Sequence, residues 1–322
     1  MSDKVRVALV GAGAMANGFH YPSLAEFDDV EMVGLCDLVE EKLNATADRF
    51  GIERRYTDYK KMVEETAPQA VYVLMPPHHL HDIVVWCLRQ KLHVFIEKPP
   101  GVHAEQTRQL AHLAEENGCL TMVAFNRRFI PLLRHCRDRV RAEGGWVHQA
   151  VATFYKDYRA GGPYYDGATD ILTSDAIHAV DALRFMVGAE AARVAASVRK
   201  LTRHFDTSFN ALIEFENGAV GVLLSNWMVG GRVHTFEMHG FGISAFCDPD
   251  NEAVIHKDDR LRVEVLTPWE AAGSEERFKY YGFWHENRHF IDCIKDNQEP
   301  ETCFPDAVRT MELVQRIYRQ AW

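Results

Sequence analysis

The run Gly11-Ala12-Gly13-Ala14-Met15-Ala16 follows a β-branched segment, Val5–Val10, and opens a helical pattern, so it has the Gly-x-Gly-x-x-Ala spacing of a dinucleotide-binding turn. Each residue type has a physical reason. Gly11 permits a tight turn, Gly13 lets a pyrophosphate approach the backbone, and Ala16 allows the helix to pack closely on the strand. The free N–H groups at the helix start, with Ala14 and Met15 in its first turn, face the phosphate. Asp37 stands about 20 residues further on, at the end of a second strand-like run, where a carboxylate accepts hydrogen bonds from the adenosine ribose. It repels a 2′-phosphate, and Leu38 rather than an arginine follows it, so NAD is expected ahead of NADP. A second polar cluster, Glu97-Lys98-Pro99-Pro100, ends the buried run 94–96 at the edge where open parallel sheets keep their ligands.

The elements that must position these groups are legible from periodicity. Strands are expected at Val5–Val10, 31–36, 70–75, 93–97 and 121–125. They alternate with helices such as 40–50 and 104–117, which stop at Gly51 and Gly118. After Asn126 the texture changes. A helix over 130–143 ends at Gly144-Gly145, and longer alternating strands follow at 147–155, 194–201, 209–215, 219–227, 235–239, 243–247, 253–256 and 262–266. Asn217-Gly218 joins two of them as a hairpin. One helix, roughly 169–187, interrupts the strands, and two more, about 283–296 and 305–319, close the chain. The expected architecture is a two-domain α/β chain. Residues 1–126 form a doubly wound parallel sheet of the Rossmann type, and 127–322 form an α+β domain with a large, mostly antiparallel open sheet. The second domain serves substrate binding and oligomerisation, and its final helix, about 305–320, is free to pack back on the first.

The dinucleotide turn, the segment Pro76-Pro77 with His81, and Glu97-Lys98-Pro99 together resemble the glucose-fructose oxidoreductase / inositol dehydrogenase (Gfo/Idh/MocA) family. Asn126-Arg127-Arg128-Phe129 and His289-Phe290-Ile291-Asp292 extend the resemblance over nearly the whole chain. It implies an NAD(P)-dependent oxidoreductase that moves a hydride between the nicotinamide and a secondary alcohol of a sugar, polyol or glycoside. It places Pro76, His81, Glu97 and Lys98 beside the cofactor and assigns Lys98 to the reacting hydroxyl, where an ammonium stabilises a developing alkoxide.

The second domain is expected to supply a general base. His178 is the candidate, since an unperturbed pKa of ~6.5 suits proton transfer at neutral pH. The family pattern is Asp-x-x-x-His, whereas here Ser174 stands four residues before His178. Asp175, three before, and Asp170, eight before, both fall on spacings that share a helical face, and the sequence does not choose between them. Asp181, three after, suits a structural role. Ser174, Tyr158 and Arg159 join Asp175, His178 and Lys98 as candidate substrate contacts, with Tyr155, Tyr164 and Tyr165 nearby. Relatives of this architecture also resemble nucleotide-sensing regulators and NAD-using glycosidases, and both stand as alternatives. The resemblance further implies a homodimer or homotetramer.

Composition narrows the remaining classes. Lys plus Arg number 36 against 46 Asp plus Glu, a formal charge of −10 with no basic stripe, which argues against nucleic acid as a partner. No apolar run approaches the ~20 residues of a membrane helix, and without a secretory pattern at the N-terminus the cytoplasm is the expected compartment. Seven cysteines with no CxxC pair read as buried thiols. His285-Glu286-Asn287-Arg288-His289 spells the His-Glu-x-x-His zinc pattern, but no third ligand accompanies it. His78, His79 and His81 likewise lack a carboxylate or cysteine at ligand spacing, so no metal is expected.

Overall fold

The computed structural model describes residues 4–321. Among them the chain divides into two compact units: one runs to Ala124 and takes back Phe283–Val308, and the other comprises Phe125–Gly282 and the stretch from Arg309. This differs from the single boundary at 126 read from the sequence.

In the first unit, short apolar strands form a parallel sheet covered by helices, the arrangement that makes such strands near-continuous in Val, Ile and Leu. The strands are β1 (Val5–Val10), β2 (Val30–Cys36), β3 (Arg55–Tyr56), β4 (Ala70–Val73), β5 (His93–Ile96) and β6 (Thr121–Val123). They pair in parallel in the order β3-β2-β1-β4-β5-β6, so the winding reverses between β1 and β4 and opens a crevice at the carboxyl ends of the strands. Helices α1 (Tyr21–Ala25), α2 (Glu40–Phe50), α3 (Tyr59–Thr66), α4 (Pro77–Arg89) and α5 (Ala104–Asn117) connect them. A π-helical turn, Ala16–His20, leads into α1. Pro22 has no N–H to give and its ring crowds the preceding turn, so the helix widens there and the Tyr21 N–H reaches back to the Ala16 carbonyl.

The second unit is built on an eight-stranded sheet in the order β14-β13-β12-β11-β7-β10-β9-β8. Its strands are β7 (Gln149–Asp157), β8 (Ala191–Arg199), β9 (Ser208–Phe215), β10 (Val220–Asn226), β11 (Met228–Gly240), β12 (Ile243–Cys247), β13 (Ala253–Lys257) and β14 (Arg260–Leu266). Every pairing is antiparallel except β7 with β10. The β9–β10 turn closes through Gly218 at φ +84°, with Gly218 N–H donating to Phe215 O and Phe215 N–H to Ala219 O, both at 2.9 Å. Helices α6 (Pro131–Gly144) and α7 (Ile177–Val187) pack on one face of this sheet. The shorter α8 (Pro268–Ala272) and α9 (Arg277–Tyr280) follow β14.

Two closing helices complete the chain, α10 (Phe283–Asp296) and α11 (Phe304–Arg319). α10 belongs to the first unit because its apolar face finds a matching core there: Phe290 meets Tyr72 and Phe95 at 5.8 and 5.6 Å between ring centres, and Phe283 stacks on Phe19 at 4.3 Å. Local periodicity shows that such a face exists but not which core receives it. Helix α11 begins in the first unit and ends in the second. The cysteines are free thiols, six of them buried, with Cys119 only half-buried, a departure from the expectation that all would be enclosed.

The second unit also encloses an ion pair. Asp181 on α7 is fully buried and receives Arg128 in a two-pronged contact, Nε to Oδ2 at 2.8 Å and Nη2 to Oδ1 at 2.6 Å, while Thr310 Oγ1 donates to Oδ1 at 2.9 Å. Removing one member of such a pair strands its partner in a low-dielectric interior. Asp181→Ala should therefore destabilise the protein by about 3–5 kcal/mol, and the double replacement Arg128→Met with Asp181→Leu by less, as read from urea unfolding.

Candidate functional site

The dinucleotide turn is held by side chains that the sequence reading did not single out. Gly11 sits at φ +104°, and a Cβ there would lie 2.5 Å from the Leu74 carbonyl oxygen. Only glycine fits. The buried Tyr21 hydroxyl donates to the Gly11 carbonyl, and burial pushes its pKa well up, which keeps it a donor. Asn17 Nδ2 reaches Ala12 O at 3.0 Å, Gly13 O at 3.2 Å and Thr46 Oγ1 at 2.9 Å. Asp37 Oδ2 accepts the Ala12 N–H at 2.7 Å and Oδ1 accepts the Val39 N–H at 2.8 Å. The carboxylate thus braces the turn, and lone pairs remain for ribose hydroxyls.

Gly13, Ala14 and Met15 are exposed, and a Cβ on Gly13 would meet nothing within 4 Å, while Ala16 is buried against the unit's interior. The result is an open cradle of backbone at a helix start, which fits the pyrophosphate of a dinucleotide. Pro76 caps α4 at ψ 145°, and His81 lies in the first turns of that helix. Its Nδ1 is 3.3 Å from Asp82 Oδ1, and its enclosed Nε2 has no hydrogen-bond partner among the described residues.

Lys98 leaves the carboxyl end of β5 half-buried, and the residue before it is anchored. Glu97 is buried; its Oε1 is 3.0 Å from His20 Nε2, and its Oε2 accepts the Lys98 N–H at 3.1 Å. The Asn287 amide lies against His20 Nδ1, with Nδ2 at 3.1 Å and Oδ1 at 3.4 Å, and its Nδ2 donates to Phe283 O at 2.7 Å, so the imidazole is held with Nε2 toward Glu97. Burial raises the Glu97 pKa, but the hydrogen bond and charge of His20, with Lys98 and its backbone N–H, outweigh it and hold the carboxyl below the ordinary glutamate value. Glu97 is therefore a charged anchor for Lys98.

The second unit gathers the substrate candidates. A π-helical turn, Leu172–Ala176, leads into α7 and offsets the i, i+4 spacing on which the sequence argument rested. Asp170 caps this turn, accepting Thr173 N–H at 2.8 Å, Thr173 Oγ1 at 2.6 Å and Tyr318 OH at 2.6 Å, and Ser174 Oγ donates to the Asp170 carbonyl at 2.6 Å. Asp175 is placed differently. Its Oδ2 is paired with Lys156 Nζ and accepts the Tyr164 hydroxyl at 2.8 Å, and Trp227 Nε1 donates to that hydroxyl at 3.2 Å. Burial and the neighbouring Asp175 charge drive the Tyr164 phenol far above its usual pKa, so it too remains a donor.

His178 is buried, with its ring edge toward Phe125 and tilted to Phe154, both at 6.4 Å between centres. Tyr158 is half-buried and stacks on Tyr164 at 5.2 Å. Arg159 is not brought to this cluster by any contact: it is exposed and folded onto Asp157, whose carboxyl its hydrogen bonds lower to about 2. Lys156 and Trp227 were missed because a period-2 strand pattern gives no hint of which polar residue meets a helix.

A second missed group borders the same Phe154 ring. Arg127, in the 3₁₀ turn Asn126–Phe129, is buried with its guanidinium 4.4 Å above Tyr281 and 5.8 Å from Phe154. His234, the cross-strand neighbour of Phe154, stacks on it at 3.5 Å. The His-Glu-x-x-His segment serves packing in α10: Glu286 is fully buried, and His289 Nε2 accepts the Glu301 N–H at 3.0 Å. Among the described residues no group of three or more His, Cys, Asp or Glu is placed to hold a metal, and no helix is long and apolar enough to cross a membrane.

Comparison with known proteins gives the family and the fold. The model described as the oxidoreductase family, NAD-binding Rossmann fold, matches residues 5–125, and that of the GFO/IDH/MocA C-terminal domain matches residues 134–243. A D-apiose dehydrogenase of Paraburkholderia graminis is 24% identical over 335 residues, covering 98% of this chain and 87% of the relative. A scyllo-inositol 2-dehydrogenase (NAD(+)) of Bacillus subtilis is 24% identical over 334 residues, covering 97% and 93%. Among solved structures, a levoglucosan dehydrogenase in complex with NADH and levoglucosan superposes with a TM-score of 0.87 at 20% identity, covering 99% of this chain and 97% of that one.

The two glycines of the cradle should respond differently to a methyl group. Gly11→Ala should cost about 1–3 kcal/mol of stability, because it forces both a strained backbone and a clash with Leu74. Gly13→Ala should melt with the parent protein yet bind NADH at least about tenfold more weakly, since its methyl occupies only the space over the backbone. Thermal unfolding and NADH fluorescence titration read the two effects separately.

Proposed function

Because this chain belongs to the Gfo/Idh/MocA family of NAD-binding oxidoreductases, we propose that it oxidises a secondary alcohol of a sugar, polyol or glycoside, using Lys98 and His178 at the reacting hydroxyl. The observation that carries the reading is Lys98, held by the buried Glu97 at the carboxyl edge of β5 in the unit whose exposed glycine cradle fits a dinucleotide. NAD, held by the Gly11 to Met15 turn, Asp37, Pro76 and His81, supplies a hydride acceptor when bound. His178 takes the hydroxyl proton. Lys98 offers its ammonium to the oxygen as negative charge develops. Asp175, fixed by Lys156 and Tyr164, accepts a neighbouring hydroxyl, with Ser174 and Tyr158 flanking it. Arg159, folded onto Asp157, takes no part. Relatives named for apiose, scyllo-inositol and levoglucosan point to a polyhydroxylated ring as the substrate class.

The outer face of the second sheet supports a homo-oligomer, since Leu212, Val263 and Val265 are exposed on it. Light scattering should give a multiple of the 36.8 kDa protomer; a mass of one protomer would refute this. For the reaction, purified protein mixed with NAD and a panel of polyols, aldoses and glycosides should form NADH. His178→Ala should lower the rate by about 10²–10⁴-fold while leaving NADH affinity unchanged, a far larger effect on turnover than on folding. Tight NAD binding with no NADH from any member would instead favour a nucleotide sensor or a glycosidase.

A further inference from the structure

The Phe154 ring in the second unit is bordered by His178 and by a cluster of cations with His234. Arg232 donates from Nη2 to His234 Nδ1 at 2.9 Å and also engages the Tyr281 hydroxyl and Asp250. A guanidinium cannot accept a hydrogen bond, so His234 Nδ1 is the acceptor and Nε2 carries the proton. That Nε2–H is buried and has no hydrogen-bond partner among the described residues. The same is true of Arg127 Nε. Both side chains are more than nine-tenths enclosed, 7% exposed for Arg127 and 3% for His234. Two donors are thus presented with nothing to receive them, in a place where leaving a donor unpaired is costly.

The charges around these donors do not cancel. Arg232 is matched by Asp250, and Lys156 by Asp175. Arg127 has no ion pair among the described residues and is contacted by aromatic faces instead. Burial together with Arg127, Arg232, Lys156 and Arg277 holds His234 well below its usual pKa, so it stays neutral. Arg277 is exposed to solvent, so the buried excess is the single charge of Arg127, the complement of a monoanion.

We infer that Arg127 and His234 form a binding site for a carboxylate, and that the substrate of this protein is a polyhydroxylated acid such as a uronate or aldonate rather than a neutral sugar. This rests on the dehydrogenase reading for the substrate's role, but binding tests it separately. His178 and the carboxylate site both border the Phe154 ring, so one substrate can present its carboxylate to Arg127 and a separate hydroxyl to His178. A phosphate ester, which approaches two negative charges at neutral pH, exceeds the charge available.

The test is calorimetric titration of the protein–NADH complex with D-glucuronate, D-galacturonate, D-gluconate, D-glucose, D-galactose and D-glucose 6-phosphate. At least one acid should bind about tenfold or more tightly than its neutral aldose and than the phosphate. Arg127→Met should abolish that preference without changing NADH affinity. If that variant does not fold, His234→Phe, which keeps the stack on Phe154, should weaken acid binding about tenfold and spare neutral sugars. Equal or tighter binding of the neutral sugars or the phosphate, no binding of any acid, or acid affinity unchanged in the folded variant would overturn the inference. NADH formation with the same panel reports on the dehydrogenase reading alone: acid binding that depends on Arg127 but yields no NADH would retain the site and reject the reaction.

Discussion

A charged carboxylate buried at the end of a parallel strand must be matched, and the site in the first unit is arranged around that requirement. Glu97 is satisfied by His20 from the π-turn after the glycine loop and by the backbone of Lys98. His20 is in turn satisfied by Asn287 on α10. One electrostatic constraint therefore joins three segments far apart in sequence, fixes where Lys98 leaves the sheet, and gives the closing helix a polar reason to return to the first unit beside its apolar one. A carboxylate of this kind is expensive unless its partners are preorganised. Preorganisation of Lys98 follows from the same contacts.

The second unit meets a parallel requirement with a different device. Asp181 draws Arg128 and Thr310 onto α7, so that the crossover segment and the last helix are tied to the helix carrying His178. With α7 held, the Phe154 ring on β7 becomes a common wall for His178, His234 and Arg127. The adjacent arginines 127 and 128 thus have opposite fates. Arg128 is neutralised inside the fold, whereas Arg127 is enclosed by aromatic rings and has no ion pair among the described residues.

The departure from the Asp-x-x-x-His pattern also has a structural sense. Ser174 returns its proton to the helix backbone, and Asp170 is consumed by the cap and by Tyr318. Asp175 is the carboxylate of the three candidate positions that is held by side chains of the strand and loop, Lys156 and Tyr164. The π-turn shifts the residues before His178 relative to those after it, so spacings counted on a regular α-helix do not carry through.

The sequence alone determined the class of both units, most strands, the dinucleotide turn with its acid, and the positions of Lys98 and His178. These rest on local rules: a period of two or 3.6, a glycine that alone fits φ +104°, a hairpin turn at Asn217-Gly218. Tertiary structure alone decided that 283–308 rejoins the first unit, that α3 and α4 lie between strands, the latter opening on Pro77 and three histidines, and that Asp37 braces the glycine loop. It also decided which partners Asp170 and Asp175 meet and left Arg127 Nε and His234 Nε2 without a hydrogen-bond partner among the described residues. Whether a polar side chain is satisfied depends on partners tens to hundreds of residues away, and no local pattern records them.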